Sequence, residues 1–226
     1  MDIDQAITMR RSIRAFNPDP VPPEILEDIL KVARWSPSGY NTQPWRISVV
    51  GGEVLEDLKQ ALIKAYDISP KGQPEIGWYN LGEVQQLRRR SLGYRILEAK
   101  GIARQDMPAR AEWNRTMLRF FGAPAAMVIY TEKERGDIAL CDLGMLAEAI
   151  MLAAHGRGLG TCILGITAQY PDVVRRTLGL DDGMLIVMSL AIGYPDLDAP
   201  VNRFQREREP LGTFVRWHGI SRASGA

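Results

Sequence analysis

Two clusters of arginines stand near opposite ends of the chain and have the chemistry to bind one anion together. The first is the segment RRSIR at 10–14, and the second comprises Arg203, Arg206 and Arg208. A guanidinium is a planar, permanently charged donor that suits phosphate oxygens, and Ser12 adds a hydroxyl group at the same point. We therefore predict that the two clusters converge on a small dianion, with a solvated basic patch as the alternative.

A loop of small polar residues forms a second candidate binding element. It has the sequence SPSGYNTQPW and runs from Ser36 to Trp45. Its hydroxyl and amide groups can donate and accept hydrogen bonds in one plane, which suits the polar edge of a heteroaromatic ring. The alternative interpretation is an ordinary connection between a helix and a strand, with its polar groups acting as caps.

The glycine run GRGLG at 156–160 matches neither of the common phosphate-binding fingerprints. Read as a dinucleotide motif from Gly156, it has Thr161 in place of the third glycine and follows a helix instead of a strand. Read as a P-loop from Gly160, it has Ile166 in place of the lysine. We predict a structural role for these glycines: left-handed conformations after a helix and close approach of two backbone segments.

Side chains for acid–base, nucleophilic or metal chemistry are scarce. His155 and His218 have no evident Ser or Cys partner, and we interpret His155 as a dipole contact at the end of a helix. Cys141 and Cys162 lack the spacing of a redox or metal motif, and Cys162 is interpreted as a packing residue. No cluster with metal-ligand spacing is evident. An enzyme with so few such groups usually takes its chemistry from a cofactor.

Composition excludes several classes of protein. The 226 residues carry 28 Lys and Arg against 27 Asp and Glu, and a net charge of +1 is too small for a nucleic-acid partner. The length favours one domain over 1–226. The N-terminal sequence lacks the basic and apolar regions of a secretory signal. The apolar stretch at 139–154 is interrupted by Asp142 and Glu148 and predicts a buried helix, so we expect a cytoplasmic protein with no membrane partner.

Hydrophobic periodicity predicts an α+β or mixed α/β chain with more helix than strand. The strands are expected at 46–50, 125–131 and 184–192, and the helices at 2–11, 24–35, 53–66, 83–100, 106–121 and 138–155. From residue 196 onward the chain is polar and aperiodic. This tail, 196–226, is expected to wrap over something already folded, such as a second subunit.

The region 67–121 is a helical excursion whose function the residue pattern leaves open. Its basic residues predict a solvated helix face, with an interaction module for a polyanion as the alternative: Arg88, Arg89, Arg90 and Arg95. Its aromatic residues either cap a substrate or belong to the core: Trp78, Tyr79, Tyr94, Trp113, Phe120 and Phe121.

Four segments, taken in order, resemble the FMN-dependent nitroreductase family. They are RRSIRAF at 10–16, SPSGYNTQPWRISVV at 36–50, GLGTCILG at 158–165 and REREPL at 206–211. The region 67–121 is similar to that of the larger subgroup that reduces nitrobenzoate-like and other nitroaromatic compounds. The resemblance implies an α+β nitroreductase-like fold with a central mixed sheet flanked by helices. It also implies an intertwined homodimer with exchanged C-terminal tails and FMN sites at the interface.

The resemblance assigns roles at an FMN site by motif position. Arg14 matches the cation near the N1/O2 edge of the flavin, where positive charge favours the reduced form. The other positions are Arg10, Ser12, Arg206 and Arg208 for the phosphate, Arg11 for the ribityl chain, Pro37, Ser38, Gly39 and Asn41 for the loop supplied by the partner subunit, and Leu164 and Gly165 for backbone contacts near N5. Some members have an acidic residue followed by glycine near N5, whereas this chain has Gly165 and Ile166.

The implied activity is a two-electron, ping-pong transfer from NAD(P)H through bound FMN to a nitroaromatic or quinone acceptor. No side chain is expected to act as an obligatory nucleophile, because the flavin N5 carries the chemistry. The alternatives are a flavin-sequestering protein without pyridine-nucleotide turnover, and other reactions on the same scaffold: enone reduction, reductive dehalogenation or flavin fragmentation.

Overall fold

The computed structural model describes residues 2–77 and 81–220, and this part of the chain forms seven α-helices and four β-strands. The helices are α1 (Ile3–Met9), α2 (Pro23–Ala33), α3 (Gly52–Ile68), α4 (Glu83–Ala99), α5 (Met107–Leu118), α6 (Ile138–His155) and α7 (Pro171–Leu178). The strands are β1 (Arg46–Gly51), β2 (Ala125–Glu132), β3 (Gly160–Leu164) and β4 (Met184–Gly193). The predicted α+β class is confirmed.

The sheet has the strand order β1-β2-β4-β3, and each pair of neighbouring strands is antiparallel. The expectation of a mixed sheet therefore needs correction. The chain passes from β2 through α6 to β3, but β4 lies between those two strands and runs opposite to both. In the described chain, parallel pairing is limited to an isolated bridge between Ser12 and Thr161.

Helices cover both faces of the sheet. On one face, Met127 and Ile129 of β2 pack with residues of α2 and α6. On the other face, Ala126 and Val128 pack with residues of α3 and α7. Because both faces are buried, β2 and β4 have nearly continuous apolar sequences instead of alternating ones.

Two elements escaped the sequence analysis, β3 and α7. The strand β3 has five residues, starts with glycine and directly follows the glycine run, so it carries almost no strand pattern of its own. The helix α7 has eight residues, with Pro171 in its first turn and the left-handed Gly179 (φ 62°) after its end. A proline in the first turn and a glycine just after the last turn are typical helix boundaries, and these two residues could have predicted α7 from the sequence.

The predicted buried helix α6 matches its expected bounds, 138–155. It is also the one helix in the described chain that is long and apolar enough to cross a membrane, and half of that stretch is buried inside the protein. Leu143, Leu146 and Ile150 lie in the core between α6 and the sheet. This burial is typical of a core helix.

An ion-pair network anchors the irregular segment that precedes α4. The buried guanidinium of Arg175 donates to both carboxylate oxygens of Glu75, at 2.8 and 3.0 Å, and the ammonium group of Lys133 lies 2.8 Å from the same carboxylate. Burial raises the pKa of Glu75, but the hydrogen bonds from Arg175 and Lys133 outweigh it and hold the pKa below its usual value. The network therefore stabilises the fold at neutral pH and loses its contribution as the pH falls through the lowered pKa.

We expect Glu75→Gln to reduce the free energy of unfolding by about 2 kcal/mol at pH 7, because it removes charged hydrogen bonds from a buried guanidinium. The difference from wild type should shrink as the pH falls below about 4.5, where the carboxyl group of the unfolded chain begins to bind a proton. Urea denaturation at pH 7 and at about pH 3.5 measures both values. The control is Glu134→Gln, since Glu134 is exposed and forms no ion pair with any described residue. If the free energies of unfolding of wild type and Glu75→Gln differed by the same amount at both pH values, the lowered pKa of Glu75 would be contradicted.

Candidate active site

The two arginine clusters converge on one cavity of about 650 Å³, as the sequence analysis predicted. The cavity lies between the segment 10–14, one side of α4 and the tail at 201–209. Six of the candidate site residues line it: Arg10, Arg11, Ser12, Arg14, Arg206 and Arg208. Arg203 is not among the lining residues, because its guanidinium turns to the carboxylate of Asp198 and to the carbonyl oxygen of Leu197.

The segment 10–14 is positioned by β3. The backbone N–H of Ile13 donates to the carbonyl oxygen of Thr161 at 2.9 Å, beside the bridge between Ser12 and Thr161. A Cβ at Gly160 would lie 2.6 Å from the Cγ1 of Ile13, so only glycine permits this approach. Gly158 has a φ of 77°, which is the left-handed conformation predicted after α6. Both predicted roles of the glycine run are confirmed.

Asn202 joins the tail to the same segment. Its side chain is 4% exposed, and its Oδ1 accepts from the backbone N–H of Arg14 at 2.7 Å. Its Nδ2 donates to the carbonyl oxygens of Ala15 and Asp196, both at 2.8 Å. Asn202 was not predicted as a site residue, because a polar side chain in an aperiodic tail gives no sign of the segment that it will bind.

Two of the arginines also hold the tail in place through backbone oxygens. Arg11 donates to the carbonyl oxygens of Asn202 and Phe204, at 2.7 and 2.9 Å. Arg206 donates to the carbonyl oxygens of Arg10 and Thr8. The guanidinium of Arg14 lies 5.9 Å from the centroid of the Phe204 ring. Contacts within the chain therefore fix the positions of these arginines.

The cluster carries an excess of positive charge. Burial lowers the pKa of Arg206, and the charges of Arg11, Arg208 and Arg10 lower it further. The buried Nε of Arg10 has no hydrogen-bond partner in the described structure, and the Glu148 carboxylate lies 3.6 Å away and is partly exposed. Cations held together in this way are complementary to a multiply charged anion such as a phosphate monoester.

His155 lies beside this cluster and is the last residue of α6, the helix end at which the sequence analysis placed it. Burial lowers its pKa, and the nearby charges of Arg10 and Arg206 lower it further. A cationic ring would favour the C-terminal dipole of α6, and the lowered pKa opposes that form. The interpretation of His155 as a dipole contact stays a prediction.

The loop predicted as a binding element is strained but lies away from this cavity. Tyr40, Asn41 and Gln43 have φ values of 50°, 56° and 47°, a left-handed conformation that costs energy for residues with a side chain. The N–H of Gly39 donates to Asp142 of α6 at 3.2 Å, and Tyr40 is fully exposed. Among the described residues, the cavity lining includes none of Pro37, Ser38, Gly39, Asn41, Leu164 and Gly165.

Two arginines of α4 contact the tail instead of solvent alone. Arg88 lies 2.8 Å from a carboxylate oxygen of Glu209, and Arg95 pairs with Glu207. The stretch is exposed, as the interpretation of a solvated helix face predicts, with 45% of the Arg88 side chain and 36% of the Arg95 side chain accessible, but these two arginines also pair with the tail. Local periodicity could not distinguish them from Arg89 and Arg90, because their partners are more than 100 residues away in sequence.

Half of the candidate capping aromatics belong to the core. Phe120 and Phe121 are buried, and the Trp113 ring lies 5.4 Å from that of Phe121. Tyr94 stacks with the guanidinium of Arg104 at 3.4 Å from the ring centroid. Trp78 and Tyr79 lie outside the described residues. Cys162 is buried and free, with its pKa raised by burial, which confirms it as a packing residue.

This fold and this cavity define an α+β protein in which arginines from both ends of the chain line one cavity. Residues 7–194 match the model of the Nitroreductase family, and the chain belongs to that family. It is 35% identical over 216 residues to chloronitrobenzene nitroreductase of Comamonas testosteroni, covering 94% of this chain and 95% of the relative. It is 31% identical over 222 residues to 4-nitrobenzoate reductase of Pseudomonas putida, covering 98% and 97%.

The fold agrees with that of solved relatives. The crystal structure of the FMN and NADPH-dependent nitroreductase NfnB from Sphigopyxis sp. strain HMH superposes with a TM-score of 0.94 at 33% identity. The superposition covers 97% of this chain and 100% of the NfnB chain. The nitroreductase-like fold is therefore confirmed for the whole described architecture, including the helical excursion.

Proposed function

We propose that this chain is an FMN-dependent NAD(P)H oxidoreductase that reduces nitroaromatic compounds. The observation that carries the proposal is the convergence of two arginine clusters, with excess positive charge, on one cavity in a nitroreductase-family chain. The relatives named above are nitroaromatic reductases by name, and the solved relative is FMN and NADPH-dependent. Quinones are a further class of acceptor that we expect the same site to reduce.

The residues present fit FMN in charge and in size. The cavity of about 650 Å³ lies in the range of small-molecule and cofactor sites. Arg10, Ser12, Arg206 and Arg208 would hold the phosphate, as the motif positions imply. The apolar part of the lining includes Leu92 of α4, which gives the cavity a wall suited to a flat ring. When bound, FMN supplies the redox chemistry by accepting hydride from NAD(P)H and passing two electrons to the acceptor.

The chain's own contribution is binding, orientation and electrostatics. Arg14 is held by the bond from its backbone N–H to Asn202, and it places a permanent positive charge at the cavity wall. We assign it the role of stabilising the negative charge of the reduced cofactor. The lining contains no His or Cys among the described residues, and its two carboxylates, Glu207 and Glu209, are paired with arginines. An obligatory nucleophile is therefore not part of the proposal.

We also propose that the working unit is a homodimer. The helix α1 buries no residue in the single chain, although Ile3, Ile7 and Met9 are apolar and exposed. On α6, Ile138 and Met145 are exposed as well. A second copy of the chain would cover these groups and would bring the loop at 37–41 and the backbone of 164–165 to a cofactor site at the interface, as the family resemblance implies. We expect the protein to be cytoplasmic.

The test is anaerobic reduction of the purified protein. We expect a yellow protein with one FMN per chain, whose absorbance near 450 nm bleaches on addition of NADPH or NADH and recovers on addition of 4-nitrobenzoate or nitrobenzene. A colourless protein that does not bind added FMN would refute the proposal. Bound flavin that neither pyridine nucleotide reduces would instead indicate a sequestering protein. A panel of quinone, enone and halogenated phenol acceptors then separates the other reactions of the scaffold.

A further inference from the structure

The tail makes contacts that alternate from residue to residue along 205–209. Arg206 donates to the backbone of the N-terminal segment, and Arg208 donates to the carbonyl oxygen of its neighbour Glu207 at 2.8 Å. Glu207 and Glu209 instead pair with arginines of α4. The sequence RERE therefore joins Arg206 to one wall of the cavity and both glutamates to the other.

The arginines of α4 have the spacing to receive both glutamates. Arg88 and Arg95 are seven residues apart, two helical turns, and therefore lie on the same face of α4. Arg95 pairs with Glu207 and Arg88 with Glu209, so the tail runs antiparallel to the helix. Arg95 also donates to the carbonyl oxygen of Gln205 at 3.2 Å, which adds a third contact along the same line.

These ion pairs matter because α4 has little other attachment. Of its 17 residues, only Ile96 is buried. The residues between the two arginines on the same face, including Ser91 and Leu92, form a wall of the cavity. The position of this wall relative to the tail therefore depends on how the tail is joined to α4, whereas the guanidinium of Arg206 is held separately by the carbonyl oxygens of Arg10 and Thr8.

Resting on the proposed function, we propose that Glu207 and Glu209 are positioning residues for the cofactor. Their ion pairs with Arg95 and Arg88 form a latch that joins α4 to the tail and so fixes the tail backbone from which Arg206 and Arg208 extend. The latch thus lets two carboxylates, which repel a phosphate through space, increase the affinity of the site for it.

The decisive variant is E207Q/E209Q, for which the latch and simple electrostatics predict opposite results. Removing two negative charges beside a phosphate site should tighten FMN binding if the glutamates act only through space. Loss of the latch should weaken binding by about fivefold, since partly exposed ion pairs contribute modestly. Quenching of flavin fluorescence on titration of the apoprotein measures the dissociation constant. An equal or tighter value would overturn the inference.

Charge exchange supplies the matched controls. R88E/R95E should weaken FMN binding, and adding E207R/E209R to it should restore most of the affinity by rebuilding the latch with reversed charges. R89E/R90E changes the net charge equally on the same helix, but Arg89 and Arg90 form no ion pair with any described residue and do not line the cavity. A loss of affinity in R89E/R90E as large as that in R88E/R95E would contradict the latch.

Hydrogen exchange of the apoprotein separates failure of the latch from failure of the proposed function. Without FMN, amides in 205–209 should exchange faster in E207Q/E209Q than in wild type, while amides of the sheet should be unchanged. If wild type does not bind FMN, the proposed function fails, and the exchange rates still report whether the latch exists. If wild type binds FMN and the exchange rates of both proteins are equal, the latch is refuted.

Discussion

Replacing Arg206 and Arg208 together by alanine should weaken FMN binding by about 100-fold. A hydrogen bond to a charged group contributes about 1.5–3 kcal/mol, and two of them therefore account for about two orders of magnitude in affinity. Part of the loss should come from the tail, because Arg206 also donates to the carbonyl oxygens of Arg10 and Thr8. Riboflavin, which has no phosphate, should therefore lose much less affinity than FMN. Fluorescence titration with both flavins measures these constants.

Arg203→Ala is the matched control for this double variant. Arg203 belongs to the same tail and the same sequence cluster, but its guanidinium contacts Asp198 and the Leu197 carbonyl oxygen outside the cavity lining. Its replacement should change the affinity for FMN by less than about twofold. Equal losses for Arg203→Ala and for the double variant would show that the tail acts through general charge and not through the cavity.

Replacing Asn202 by alanine should lower the free energy of unfolding by about 3 kcal/mol. The residue is 4% exposed, and its side chain bonds to the N–H of Arg14 and to the carbonyl oxygens of Ala15 and Asp196. Its loss leaves the Arg14 N–H and the Asp196 carbonyl oxygen without these partners, while the Ala15 carbonyl oxygen keeps the backbone N–H of Asp196. Urea denaturation of the apoprotein measures the change. FMN binding should weaken as well, because Asn202 fixes the backbone of Arg14 against the tail.

Two further variants test this assignment. Asn202→Asp keeps an oxygen for the N–H of Arg14, but an ionised carboxylate can donate to neither carbonyl oxygen and is repelled by both. At pH 7 its loss of stability should therefore be comparable to that of Asn202→Ala. Asn17→Ala makes the same change as Asn202→Ala at an exposed site and should alter stability by less than about 0.5 kcal/mol. If Asn202→Ala is no less stable than Asn17→Ala, the tail is not held by the hydrogen bonds described here.

The elements best predicted from sequence are those with long, apolar patterns. The bounds of α6 were predicted at both ends, and β2 and β4 were predicted within about one residue, because burial on both sides leaves an unmistakable run. The helix predicted at 106–121 instead ends at Leu118, since Phe120 and Phe121 both take a φ of 55° in a buried turn. The short elements β3 and α7 depend on their neighbours and were not predicted.

The predicted site residues fall into two groups, those that line the cavity of the single chain and those that do not. The motif positions of Arg10, Ser12, Arg206 and Arg208 were predicted to meet, and the structure brings them together across nearly the whole length of the chain. The roles of the loop at 37–41 and of Leu164 and Gly165 stay predictions, because a single chain does not bring them to this cavity. Their test is a structure of the dimer with FMN bound.

The sequence by itself determined the residue types that can meet a phosphate, the absence of an evident nucleophile, and the resemblance to a flavin-dependent family. Only the tertiary structure decided which of the three tail arginines face the cavity, which arginines of α4 hold the tail, and that Asn202 joins the tail to the N-terminal segment. The physical reason is that these features depend on contacts between residues about 100 to 200 positions apart in the sequence. A local pattern reports which side of an element is apolar, but a polar side chain's partner is set by the packing of distant elements.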